Sequence, residues 1–189
     1  MTLAFFVLAS SCVLVYRYRV SGFAEDLTLR SFSYEELKDA SNNFTDEIGK
    51  GSCGTVFKGV LSNGNRIVAI KRLAKVVTEG EREFQNEMKT IGKTHHKNLV
   101  QLLGFCHEGA KMLLIYEYMS HGSLADFFFR ARLKTDWEGR TKIALDTARG
   151  ILYLHEECET QIIHCDIKPK NILMDGKGCA KISDFGLAK

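Results

Sequence analysis

Four groups of side chains in this sequence can do chemistry together. The last nine residues, Lys181 to Lys189, read KISDFGLAK. A short apolar strand leads into an acidic turn, where Asp184 is held out as a carboxylate that can meet a metal. Gly186 is free there to take unusual dihedrals. His164 to Asn171 reads HCDIKPKN and forms a loop between short strands. Asp166 can accept a proton, Lys168 can neutralise a phosphate, and Asn171 can offer an oxygen to Mg²⁺. One amide oxygen, one carboxylate and substrate phosphates together suit that ion, which takes oxygen ligands.

The other two groups lie upstream. Gly49-Lys50-Gly51-Ser52-Cys53-Gly54-Thr55-Val56 is glycine-rich. Such a stretch lets backbone amides pass close to phosphates. It equally fits a plain glycine-rich β-turn. It sits between two strands, which disfavours a dinucleotide fold, where the loop opens a helix. Lys71 lies in VAIK on a strand and points to one face of the sheet. Taken alone it reads as an exposed lysine. Glu87 borders the apolar stripe of Phe84, Met88 and Ile91, and an inward carboxylate needs a partner. Lys71 can supply it, either to position a phosphate or as a structural ion pair.

The elements that must hold these groups follow from local pattern. FSYEELKDASNNF opens a helix, with Ser33 and Glu36 at capping-box spacing and Phe32 able to staple onto Leu37. TVFKGVL and RIVAIKRL read as strands joined by the turn SNGN. EGEREFQNEMKTIGK reads as a helix, and NLVQLLGFC and KMLLIYEYM as two further strands. After Gly122 the pattern turns helical. SLADFFFR has Ser123 as a cap, and the segment from Asp136 to Cys158 carries a stripe of Ala144, Ala148, Ile151 and Leu152. IIHCDI, NILMD and AKISDFG follow as short strands and turns. The order predicts an α+β fold, a small sheet with one inserted helix and then a helical part, dividing between Met119 and Gly122.

Composition excludes several classes. Net charge is +3 with both signs interspersed, so no basic face argues for nucleic acid. The six cysteines show no CxxC pair, which argues against structural zinc and for reduced, unpaired thiols in a cytosolic body. The run from Leu3 to Tyr16 is uncharged and mostly apolar, and Arg17 and Arg19 follow it. It is shorter than the ~20 residues that span a bilayer as a helix. Its flanks suit the end of a membrane anchor with the remainder cytosolic, rather than a buried core helix.

Taken in order, these groups resemble the protein-kinase signature set: glycine-rich loop, VAIK lysine, helix glutamate, HRD…N and DFG. The resemblance runs from Phe44 to Lys189. NLVQLLGFC, LIYEYMSHGSL, TKIALDTARGILYLHEEC and IIHCDIKPKNIL are similar to plant receptor-like serine/threonine kinases, and HCDIKP to the lectin-type ones. The resemblance implies a kinase-like fold with a complete N-terminal lobe and the first part of the helical C-terminal lobe. Expected divisions are 1–19 anchor-like, 20–43 juxtamembrane linker and short helix, 44–119 N-lobe and 120–189 partial C-lobe. It implies ATP and Mg²⁺ as cofactors and a protein Ser or Thr hydroxyl as acceptor. Gly49, Gly51 and Gly54 would cover the phosphates, with Ile48, Val56, Ala69 and Leu173 around the base. Lys71 would hold the α- and β-phosphates and pair with Glu87. Tyr116 would be the gatekeeper, and Glu117 to Met119 would give the hinge backbone. Asp166 would orient or deprotonate the hydroxyl, Lys168 marks the serine/threonine type, and Asn171 and Asp184 would hold Mg²⁺.

Three departures stand out. Cys53 replaces a loop-tip aromatic. Cys165 replaces the arginine of HRD, so the loop has no cation to clamp an activation-loop phosphate; this is the non-RD pattern, with His164 structural. The family pattern would also continue past Lys189 into an activation segment, an APE motif and more helices, so the chain is expected to be truncated. Two functions stay open from sequence. One is a membrane-associated receptor-like kinase. The other is a catalytically impaired decoy that binds nucleotide or full-length receptor kinases.

Overall fold

The computed structural model describes residues 29–51, 54–61, 65–73, 77–130 and 136–189. The anchor-like run, Cys53 and most of the SNGN turn lie outside these residues. Among the described residues, no helix is long and apolar enough to cross a membrane.

Six strands form one sheet: β1 (Arg30–Ser31), β2 (Glu47–Gly51), β3 (Gly54–Leu61), β4 (Arg66–Leu73), β5 (Leu102–Glu108) and β6 (Lys111–Glu117), in the order β1-β5-β6-β4-β3-β2. All neighbours pair antiparallel except β1, which adds parallel to β5. Alternation along the strands gives the sheet two apolar faces. On one face Leu102, Phe105, Met112 and Leu114 pack under helix α2 (Val77–Ile91), which contributes Phe84, Met88 and Ile91. On the other, Val68, Ile70, Leu113 and Ile115 pack with Phe32 and Leu37.

That second face is covered by helix α1 (Tyr34–Ala40). The expected capping box is present: Ser33 Oγ accepts from the Glu36 amide at 3.1 Å, and the Ser33 amide donates to Glu36 Oε2 at 3.0 Å. The Tyr34 amide donates to Glu108 Oε1 at 3.0 Å, fixing the helix to the sheet. Gly104 makes the close approach of β1 possible, since a Cβ there would lie 2.2 Å from the Arg30 carbonyl oxygen. Residues from Arg30 to Phe44 are therefore packed against the sheet.

Beyond β6 come α3 (Leu124–Arg130) and α4 (Trp137–Leu152), which runs on into a wide turn, Tyr153–Glu157. Ser123 caps α3 as expected, its Oγ accepting from the Asp126 amide at 3.1 Å. The expected stripe on α4 is wrong in three of its four members: Ala144, Ala148 and Leu152 are exposed, Ile151 packs half-buried on the core, and the buried face is Ile143, Asp146, Gly150 and Leu154. A charged residue lies inside that face, which hides it from a search for apolar periodicity. Asp146 is tolerated because Lys142 Nζ donates to it at 2.8 Å and the Ala180 amide at 3.3 Å.

A second, two-stranded sheet pairs β7 (Ile172–Met174) with β8 (Ala180–Ile182). IIHCDI forms no strand of its own; within it, Ile163 exchanges backbone bonds with Lys189 at 2.9 and 3.0 Å. The small sheet is tied to the segment leading into β5 by Val100 N donating to Ile182 O at 2.9 Å and Ile182 N to Asn98 O at 2.8 Å.

Candidate active site

Lys71 is on β4 directly opposite Val56 of β3 and Leu114 of β6. Its side chain therefore lies on the face covered by α2. Ala69, two residues earlier, shares that face and pairs with Tyr116. On α2, Glu87 falls on the inward stripe with Phe84, Met88 and Ile91, and it is wholly buried. The expected pair forms: Lys71 Nζ donates to Glu87 Oε1. The Tyr116 hydroxyl donates to the second oxygen, Glu87 Oε2.

Two further carboxylates share the ammonium. Glu83 Oε1 accepts from Lys71 Nζ at 2.7 Å and Asp184 Oδ1 at 2.9 Å. The three acids lie within 4.8 Å of one another, with the lysine as their cation. Burial pulls the Lys71 pKa down, but Glu87, Asp184 and Glu83 outweigh it and hold it above the ordinary value. Burial pushes Glu87 up to about 7 against the pull of Lys71. Glu83 was not singled out by apolar periodicity. It stands four residues before Glu87, which puts both on one face of the helix, and that spacing was the available signal.

The turn that presents Asp184 differs from expectation in one respect. The left-handed backbone falls on Asp184 itself, at φ 67°, and Gly186 does not take positive φ. Gly186 is needed for space: a Cβ there would lie 2.6 Å from Glu83 Cγ. Asn86 Nδ2 also donates to the Gly186 carbonyl at 3.1 Å. Phe185 is buried in the core beneath α2 and packs edge-on to His164, ring centroids 4.7 Å apart.

His164 anchors the second loop. Its Nε2 meets the Ser183 carbonyl at 3.0 Å, and its Nδ1 meets the Asp166 amide at 3.2 Å. The ring thus links the Asp166 loop to the Asp184 turn, and burial holds its pKa below the usual value. Asp166 Oδ2 accepts from Lys168 Nζ at 2.6 Å and from Asn171 Nδ2 at 2.9 Å. The Lys168 bond holds the Asp166 carboxyl below the usual carboxylate range. Asn171 is buried, and its amide nitrogen is committed to Asp166, so Oδ1 is the atom it can offer a ligand. Cys165 is exposed with φ 63° and brings no charge to the loop.

The remaining expected residues edge the same region. Gly49 pairs with Val56 and Gly51 with Gly54 across β2 and β3, and Ile48 is exposed at a register shift. Leu173 bridges to Ser123 just past the Glu117–Met119 segment, in which Met119 is buried. Glu117 Oε1 accepts from the Gln101 amide at 2.9 Å and from Lys181 Nζ at 2.7 Å. Lys181 was not anticipated as its partner. A cavity of about 310 Å³ between the Thr94–Gln101 segment and Lys181 shares only Glu117 with this set.

A family profile described as a protein kinase domain matches residues 43–189. The G-type lectin S-receptor-like serine/threonine-protein kinase RLK1 of Arabidopsis thaliana is 53% identical over 169 residues, covering 88% of this chain and 20% of that protein. The corresponding kinase LECRK4 of Oryza sativa subsp. indica is 53% identical over 164 residues, 86% of this chain and 20% of that protein. SD2-2 of A. thaliana, of the same description, is 53% identical over 169 residues, 89% of this chain and 21% of that protein. The chain spans about a fifth of the length of these curated relatives.

Proposed function

The chain belongs to the protein kinase family, and from that premise we propose that it binds MgATP and transfers the γ-phosphoryl group to a protein Ser or Thr hydroxyl. The observation that carries this reading is Lys71 clasped between Glu87 and Asp184. A lysine fixed on a strand by a helix carboxylate is a preset cation for phosphate oxygens. Around it, Gly49, Gly51 and Gly54 cover the phosphates, while Ile48, Val56, Ala69 and Leu173 enclose the base. Tyr116 closes the back of the site, and the backbone from Glu117 to Met119 meets the adenine edge.

The donor set fits Mg²⁺: Asn171 can offer Oδ1, and the Asp184 side chain is 31% accessible. When bound, the ion neutralises charge developing on the transferring group. Asp166 accepts the hydroxyl proton, and its depressed pKa keeps it ionised for that task. Lys168, bonded to Asp166, neutralises the transferred group. With Cys165 before Asp166, no arginine couples this loop to a phosphate, so we read the site as non-RD.

The run from Leu3 to Tyr16 with Arg17 and Arg19 behind it supports attachment to the plasma membrane, leaving the kinase portion cytosolic. A second reading, a partner-binding decoy without transfer, is favoured by the exposed Trp137, Leu145 and Leu152 on α4.

Calorimetric titration of MgATP into wild type, Lys71→Met and Asp184→Asn tests nucleotide binding; equal affinity in all three would overturn it. Transfer of labelled phosphate to a generic Ser/Thr substrate, abolished in Asp166→Asn, separates kinase from decoy.

A further inference from the structure

We propose that Glu83 is a positioning residue that sets how readily Asp184 leaves Lys71 for a metal ion. This rests on the assignment of Asp184 to Mg²⁺ above and assigns a residue that the kinase reading does not use. An ammonium has three N–H donors. Lys71 spends them on Glu87, Glu83 and Asp184.

The three acceptors are not equivalent. Glu87 is fixed: it is wholly buried, and its second oxygen takes the Tyr116 hydroxyl. Asp184 is the one able to move, with its side chain 31% accessible at a tight turn, while Glu83 is 12% accessible. When Asp184 turns to a metal, Lys71 loses one counter-charge and keeps two. Without Glu83 it would keep one. A desolvated cation with fewer counter-charges holds each remaining one harder. Loss of Glu83 therefore strengthens the Lys71–Asp184 pair, and the metal has to compete with it. The negative charge of Glu83 also favours a cation nearby, so both effects act in the same direction.

Glu83 has a second contact with the turn. Its Cγ lies where a Cβ on Gly186 would intrude, and Asn86, three residues on, donates to the Gly186 carbonyl. One face of α2 thus rests directly on the Asp184–Gly186 turn, so Glu83 stays over the turn while Asp184 changes partner.

The test uses the full chain and binding rather than turnover. Mg²⁺ is titrated calorimetrically into protein with saturating ATP, and ATP is separately titrated in chelator. Glu83→Gln keeps the shape over Gly186 and removes the charge. The expected result is an Mg²⁺ Kd roughly tenfold weaker, within the ordinary range for coupled groups, with metal-free ATP affinity not weakened. Glu83→Asp keeps the charge with shorter reach and is expected to fall between. An Mg²⁺ Kd for Glu83→Gln equal to wild type, while Asp184→Asn loses metal binding, overturns the role of Glu83 alone. Equal weakening of Mg²⁺ and metal-free ATP also overturns it, because that is what a merely structural residue would do. Metal binding unchanged in Asp184→Asn overturns the underlying site assignment and this proposal with it.

Discussion

Replacing Lys71 with methionine removes the cation that Glu83, Glu87 and Asp184 share. Breaking a buried ion pair from one side costs about 3–5 kcal/mol. Glu87 bears most of that cost, because it is wholly buried. Its one relief is protonation. Burial already raises its pKa from 4.5 to about 7 against the pull of Lys71, and without Lys71 it must rise further. A carboxyl with a raised folded-state pKa stabilises the fold at low pH. That contribution drains away as pH climbs from the unfolded value through the folded one. Wild type and Lys71→Met lose it in parallel between pH 4.5 and about 7. Above that range wild-type Glu87 has finished titrating, while in the variant the loss continues at about 1.4 kcal/mol per pH unit. The stability gap should therefore widen by roughly 2 kcal/mol between about pH 7 and about pH 8.5, or about 4–8 °C in Tm for a chain of this size. Thermal melts by circular dichroism at both pH values measure it directly. The double variant Lys71→Met/Glu87→Gln removes the wholly buried carboxyl as well, so the widening due to Glu87 should vanish. A gap of the same size at both pH values would refute the reasoning, as would a variant as stable as wild type at the higher one.

Other outcomes follow from the same structure. Leu37→Ala should cost about 2–5 kcal/mol, because its fully buried side chain holds α1 to the sheet. Gly104→Ala should release β1, since its Cβ would strike the Arg30 carbonyl oxygen and the Phe32 ring; hydrogen exchange of amides 30–41 should rise in both variants and measures the release. Lys168→Ala should raise the Asp166 pKa toward its ordinary value, because the Lys168 bond is the main cause of its depression; carboxylate NMR titration reads the shift. Alkylation at mildly alkaline pH should label exposed Cys165 and spare Cys106, a buried thiol pushed up to about 12; peptide mass mapping tests it, and early labelling of Cys106 would contradict the packing of that sheet face.

Much of the fold was legible because its signals are local. Ser33 and Glu36 announce α1 by spacing, and Phe84, Met88 and Ile91 announce the inner face of α2. The face of α4 was not legible. Its buried positions include Asp146, whose partners Lys142 and Ala180 make it acceptable only once β8 is in place. The packing of Arg30 to Phe44 on the sheet escaped notice for a related reason. A capped helix reads the same in a linker as against a core, and only Gly104 and the apolar outer face distinguish the two.

The candidate site divides in the same way. Residue types and order along the chain were enough to name Lys71, Glu87, Asp166, Asn171 and Asp184, because each carries a group the chemistry requires. Sequence could not say how many carboxylates one ammonium serves. That depends on two elements, α2 and the Asp184 turn, arriving at the same point from positions far apart in the chain. Tertiary packing alone brings Glu83 over Gly186 and puts the left-handed backbone on Asp184 rather than on the glycine. Side-chain chemistry is a property of single residues and survives in the sequence; the sharing of one buried cation among three acids is a property of distance, which only the folded chain defines.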